Sequence, residues 1–230
     1  MKTIGLLGGM SWESTATYYR LVNEGVKSAL GGLHSAKLCL YSVDFDEIET
    51  LQHAGDWGKT ADILSDAARG VAAAGADFLV LCTNTMHKVA PEIERRIPIP
   101  LLHIADATAE VIVSQGIESI GLLGTKFTME EDFYRGRLEN NYALNVLIPD
   151  DTDRDIAHHV IYSELCQGQI HADSRARYLD IIGKLSKAGA QAIILGCTEI
   201  ALLVQQDHTP VPLYDTTQIH AEGAVKLALE

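Results

Sequence analysis

The sequence predicts an α/β fold built as two similar lobes, and two observations carry that prediction. Short apolar runs alternate with amphipathic stretches of helical period from one end of the chain to the other. Halfway along, the series starts again. "TIGLLGGMS" at 3–11 returns as "SIGLLGTKF" at 119–127, "GADFLVLCTN" at 75–84 as "GAQAIILGCT" at 189–198, and "PIPLL" at 98–102 as "PVPLY" at 210–214. Three matches in one order, at nearly constant separation, are more than shared composition produces.

Taken in order, "TIGLLG" reads as a first strand and "ESTATYYRLVNEGVKSAL" as a helix. "AKLCLYSV" is a second strand, followed by a polar loop. "WGKTADILSDAARGVAAAG" has helical spacing and ends at Gly75, a natural stop. "ADFLVLCT", "PEIERRI", "PIPLLHI" and "DATAEVIVSQG" continue the alternation. Parallel strands need long crossovers, which the helical stretches supply. The expected architecture is a pair of pseudo-symmetric Rossmann-like lobes with parallel sheets flanked by helices. The lobes are 1–115 and 116–230, with the last helix expected to cross back. Duplicated halves commonly place the functional site at their interface, lined by loops after the carboxyl ends of the strands.

The 230 residues carry a formal net charge of −13. Such a surface offers no attractive field to nucleic acid or to an anionic membrane, so neither is an expected partner. A small anionic substrate is compatible with it, because a few local donors outweigh a screened global charge. No apolar run approaches membrane-spanning length, and "MKTIGLLGGMSWES" lacks the architecture of a signal peptide. A cytoplasmic protein is expected. Cys39, Cys82, Cys166 and Cys197 form no CxxC pair and no regular spacing, which disfavours a disulfide framework or a zinc ribbon. Cys39 and Cys166 read as small buried hydrophobes.

"LCTNTMH" at 81–87 raises the question of which residue does chemistry. Aligning "GADFLVLCTN" with "GAQAIILGCT" without gaps pairs Leu81 with Leu195 and Cys82 with Gly196. Thr83 then falls on Cys197. In an extended segment one step turns a side chain to the opposite face, so the expected counterpart of Cys197 is Thr83. Cys82 is expected to be a buried strand residue.

Two residues at equivalent strand ends suit a reaction with two faces, such as removing a proton from one side of a carbon and returning it on the other. Cysteine fits because its thiol has a pKa of ~8.5, brought lower by a helix N-terminus or by nearby donors. "TNTMHKVAPEIE" and "TEIALLVQ" could each open such a helix. Asn84, Thr85 and Thr198 add neutral donors.

"IGLLGGMSWESTATYYRLVN", "LCTNTMH" and "LGCTEI", in this order and spacing, resemble the aspartate/glutamate racemase family along essentially the whole chain. The "GGMSWES" opening and the "CTEI" ending look like its aspartate racemase branch. The resemblance implies a two-lobed, cofactor-independent isomerase acting on aspartate or glutamate, commonly a homodimer. The broader group also contains hydantoin racemases, maleate isomerases and arylmalonate decarboxylases. Members with two thiols carry one cysteine just before the Asn-Thr pair. Here that place is Thr83, a departure from the pattern. By the family's geometry the second-lobe cysteine, Cys197, serves the L-enantiomer, and Thr83 stands on the D side. A threonine hydroxyl is far too weak a base to take an α-proton unaided, so preference for the L-enantiomer is expected. The alternatives are a single-thiol decarboxylase or isomerase of a dicarboxylic acid, and a catalytically weakened amino-acid-binding protein.

Around this pair, Gly8-Gly9-Met10-Ser11 reads as a strand-to-helix turn whose N–H groups could hold a carboxylate, a plain tight turn being the alternative, and Met10 and Ser11 are expected to bind substrate. Thr125 is the repeat partner of Gly9 and should line the same site. Gln52, placed in the polar loop after the second strand, takes the position where relatives hold the distal carboxylate. Lys126, Arg135 and Arg137 are cationic candidates, each also compatible with a solvated surface place. His87 follows Thr83 at i+4, so a site-facing and a capping role are both open. His158-His159 has no partners at metal-ligand spacing and reads as structural. No metal is expected. No nucleotide-binding glycine motif is present. A Schiff-base lysine for pyridoxal phosphate has no reliable local signature, and a two-base arrangement does not need one.

Overall fold

The computed structural model describes all 230 residues. It holds two four-stranded parallel sheets flanked by helices. The first sheet uses β1 (Ile4–Gly8), β2 (Leu38–Ser42), β3 (Phe78–Leu81) and β4 (Leu101–Leu102), in the order β2-β1-β3-β4. The helices that precede β5 in the chain are α1 (Trp12–Leu30), α2 (Phe45–Ala54), α3 (Trp57–Ala73), α4 (Ala90–Glu94) and α5 (Ile104–Ser114). The second sheet repeats that order as β6-β5-β7-β8, with β5 (Ser119–Gly124), β6 (Asn145–Leu147), β7 (Ala192–Gly196) and β8 (Leu213–Asp215). With it come α6 (Lys126–Glu130), α7 (Arg135–Tyr142), α8 (Asp151–Ser163), α9 (Ala172–Lys187), α10 (Ile200–Leu203) and α11 (Thr216–Leu229).

Two compact units result, Met1–Ile104 with His220–Glu230, and Ala105–Ile219. The expected division near residue 115 therefore falls earlier, because α5 is bound into the second unit. Asp106 accepts a bidentate pair of bonds from Arg137 at 2.7 and 2.6 Å, and Gln115 accepts from the Tyr214 hydroxyl. The last helix does return to the first unit, where Ala221, Ala224, Val225 and Ala228 pack with Tyr18, Val22 and Val26. Gly25 lets α1 approach α11, since a Cβ there would lie 2.9 Å from Val225.

In the first unit the period-2 alternation of strands sorts the core into two layers. Leu7, Leu79 and Leu81 face α2 and α3, while Ile4, Leu6, Phe78, Val80 and Cys82 face α1 and α11. Each fully buried aliphatic side chain contributes about 1.5–3 kcal/mol relative to exposure, so the layers specify register as well as stability.

Three local expectations change. The polar stretch after β2 is a helix, α2, started by the Asp44 side chain and ended by left-handed Gly55. The segment after Thr83 is a 3₁₀ turn, Thr85–Val89, leading into a five-residue α4, and the one after Cys197 leads into a four-residue α10. A macrodipole is a sum over aligned peptides, so neither stretch supplies the long-helix N-terminus expected to stabilise a thiolate.

Candidate active site

In the first unit the candidate residues cluster at the carboxyl ends of β1 and β3. Beyond β1 the chain turns sharply at Gly9, whose φ of 98° and whose closeness to Val43 (2.2 Å from a notional Cβ to the carbonyl oxygen) leave no room for a side chain. Thr15 locks the turn. Its Oγ1 accepts from the Gly9 N–H at 2.8 Å and donates to the Ser11 carbonyl at 2.8 Å. The Gly9 N–H expected to hold a carboxylate is thus already used within the protein. Ser11 caps α1 by accepting from the Ser14 N–H, and Met10 and Ser11 are both buried.

Beyond β3, Cys82 donates its N–H to the Leu7 carbonyl, and Thr83 donates its own to Leu81, closing a three-residue turn centred on Cys82. The Cys82 side chain is buried among Val80, Ile4 and Leu6, and burial pushes its thiol far above the ordinary range. Thr83, Asn84 and Thr85 follow at the edge of burial, Thr83 at 7% exposure. Gln52 is buried in the last turn of α2 rather than in a loop.

The second unit repeats the frame with different chemistry. Gly124 pairs with Gly196 across β5 and β7, and Cys197 follows. In the first unit Leu7 pairs with Leu81, so the next step brings Gly8 beside Cys82, and Thr83 follows. The strand registers therefore reproduce the ungapped repeat, with Thr83 and Cys197 one residue past equivalent positions. Thr125 caps α6 by accepting from the Thr128 N–H and is buried.

Cys197 has a partner within its own motif, "LGCTEI", to which the sequence pattern assigns no role. Its Sγ donates to Glu199 Oε2 at 3.0 Å, and the Thr198 hydroxyl donates to the same oxygen at 2.5 Å. Glu199 is only 4% exposed. The expected lowering of the Cys197 thiol is reversed. Burial, and then the charge of Glu199, hold it well above the ordinary range. Resting Cys197 is a thiol poised against a carboxylate, so the arrangement can move a proton from sulfur to Glu199 and leave a thiolate. The available signal was an acid two residues after the cysteine in "CTEI". Buried Tyr178 donates its hydroxyl to the Ala157 carbonyl at 2.8 Å, and burial first and then the Cys197 charge hold it well above the ordinary phenol range.

The cationic candidates are held by acids within the second unit. Lys126 pairs with Asp155, Arg135 with Glu139 at 2.9 Å, and Arg137 with Asp106. His158 accepts from the Lys126 N–H and lies against Phe127 and Tyr162. No three His, Cys, Asp or Glu side chains converge as a metal cluster, and no helix is long and apolar enough to cross a membrane.

A family model described as Asp/Glu/Hydantoin racemase matches residues 7–224. The chain belongs to the Asp/Glu/hydantoin racemase family. It is accordingly an enzyme of the isomerase class. It is 57% identical to a proposed Asp/Glu racemase from Yersinia pestis, with a TM-score of 0.94 and 100% of both chains covered. An aspartate racemase homologue from Pyrococcus horikoshii OT3 is 33% identical, with a TM-score of 0.86 and again 100% of both chains covered. The broad specificity amino-acid racemase RacX of Bacillus subtilis (strain 168) is 24% identical over 231 residues, 98% of each chain. Glutamate racemase from Francisella tularensis, at 13% identity and a TM-score of 0.67 over 99% of this chain and 81% of its own, shares the racemase fold.

Proposed function

We propose that this racemase acts on acidic amino acids, aspartate or glutamate, without a cofactor and with preference for the L-enantiomer. The observation that carries the reading is the Cys197–Glu199 pair at one strand end, with Thr83 at the equivalent strand position of the other sheet. Glu199 takes the Cys197 proton, and the thiolate removes the α-proton of the L-amino acid. The resulting carbanion is reprotonated on its other face through the Thr83 hydroxyl, with water renewing that proton. Glu199 then returns its own proton to solvent, which closes the cycle. Met10, Ser11, Asn84, Thr85, Thr125 and Thr198 supply neutral hydrogen-bonding and packing groups for the substrate. Because Lys126, Arg135 and Arg137 are occupied by acids, the buried Gln52 amide is the group proposed for the distal carboxylate.

Enantiomers in water have equal free energy, so kcat/KM must match in the two directions. Preference for L can appear only in kcat and KM taken separately, or as D-turnover below detection. Solvent exchange followed by NMR tests the scheme. In D2O the L-substrate gains α-deuterium with retention faster than it inverts. Loss of exchange in Cys82→Ala but not in Cys197→Ala would overturn the assignment. The match to RacX supports a second reading, a wider amino-acid range, so neutral L-amino acids belong in the panel beside malonates and maleate. We further propose a cytoplasmic homodimer, which sedimentation equilibrium checks.

A further inference from the structure

Behind Thr83 lies a group of buried side chains that the scheme above does not use. His87 Nδ1 is 2.8 Å from the Thr83 carbonyl oxygen, and the Ile104 N–H points at His87 Nε2 at 3.2 Å. A carbonyl can only accept and a backbone N–H can only donate. The imidazole is therefore neutral, with its proton on Nδ1, and it donates to Thr83. One residue earlier, the Ser14 hydroxyl of α1 donates to the Cys82 carbonyl at 3.3 Å. Together with the Thr83 N–H on Leu81, three successive carbonyls, of Leu81, Cys82 and Thr83, are each held by a named donor.

His87 is itself braced. The His103 ring lies 4.5 Å from it and the His220 ring 5.9 Å, both edge-on. His220 donates from Nε2 to the Leu102 carbonyl at 2.8 Å, which leaves Nδ1 to accept from the Tyr18 hydroxyl at 2.8 Å. His87 and His220 thus grip the chain on either side of His103, at Ile104 and Leu102. All three rings are buried.

We infer that His87 and Ser14 are positioning residues that aim Thr83, by fixing the peptides on both sides of its Cα so that its hydroxyl faces the substrate. The inference rests on the proposed role of Thr83 as the opposite-face relay. Neither residue touches substrate. A loosened relay slows inversion while leaving Cys197 able to exchange the α-proton with retention. A structural defect of the whole protein slows both alike.

The test is the ratio of inversion to retained exchange for L-substrate in D2O, measured for wild type, H87Q, H87N and S14A. An Asn amide reaches the place of Nδ1 and keeps a donor for Thr83, whereas a Gln amide reaches toward Nε2 and Ile104. The ratio falls roughly tenfold in H87Q, less than the ~10²-fold that a full 1 Å misplacement can cost, and stays within about twofold of wild type in H87N. An unchanged ratio in H87Q, or equal losses in H87Q and H87N, overturns the inference. If H87Q does not fold, S14A decides, because it frees the neighbouring carbonyl without touching the imidazole. A several-fold fall supports the inference and an unchanged ratio overturns it. Wild-type protein that exchanges no α-proton removes the racemase scheme and this inference together, whereas exchange with an unmoved ratio removes the inference alone.

Discussion

Gly124 pairs with Gly196 in one sheet, and Leu7 with Leu81 in the other. Beyond those pairs the two strand ends, equivalent in backbone, part company. After β7 comes a thiol whose proton faces a buried carboxylate that also receives the Thr198 hydroxyl. After β3 comes a hydroxyl on a backbone clamped by neutral groups, Ser14 and His87. A thiol held high by burial and by a carboxylate needs that carboxylate to become a base. A hydroxyl gains little from any neighbour, because its own basicity is too low, so what its surroundings can supply is aim. The strand frame repeats, and the residues at its edge differ in chemistry.

Removing the thiol should break the comparison most completely. Cys197→Ser is expected to lower α-proton exchange by roughly 10³-fold, since a hydroxyl then stands at both strand ends. Stopped exchange with folding intact, read by NMR and circular dichroism, checks it.

Glu199→Gln comes next, with a loss of roughly 10²-fold in kcat at neutral pH. The sign of the titration is informative. Burial raises the Cys197 thiol first and the Glu199 charge second, so removing the charge lowers the thiolate midpoint but leaves it above the ordinary range. Ultraviolet thiolate titration should show that downward move. The kcat of the variant should climb with pH more steeply than that of the wild type, because the thiol must then ionise to solvent. A midpoint that rises would contradict the pairing.

Thr83→Cys sharpens the comparison by making the strand ends alike. Turnover of D-substrate is expected to rise several-fold, the gain that a positioned general base gives over an unaided hydroxyl. An unchanged rate counts against the paired positions.

The smallest effect concerns stability in the first unit alone. Burial lowers His220 to about 4 from its ordinary 6.5. The unfolded chain therefore binds the proton first, and the contribution of a neutral His220 is fully present above pH 6.5 and lost as pH falls toward 4. The whole loss is about 3 kcal/mol by the value of one pKa unit. Urea midpoints should fall between pH 6.5 and 4.5 less steeply in His220→Gln than in wild type, though the variant starts lower because it gives up the Tyr18 and Leu102 contacts.

Much of this protein was readable along the chain. Strand period, helix period and the terminating glycines are local, and the repeat is a comparison of the sequence with itself. Together they placed the four strands of the first sheet and β5, β7 and β8 of the second, matched Thr83 to Cys197 in strand position, and put Cys82 in the core. The polar stretch holding Gln52 read as a loop because α2 buries only Ile48 and Gln52, too few apolar positions to show a periodic stripe.

Partnership between side chains is set by the packing of distant segments. Glu199 lies two residues from Cys197, yet the burial of both is tertiary, and burial of Cys197 first and the charge of Glu199 second reverse the direction in which the thiol moves. His87 is defined by Ile104, and His220 by Tyr18, across 17 and 202 residues of sequence. The Arg137 guanidinium reads in sequence as a candidate for substrate, but Asp106, 31 residues away, holds it. Periodicity reports which way a side chain faces. Desolvation and pairing, which set its charge and its chemistry, exist only once distant segments have packed against it.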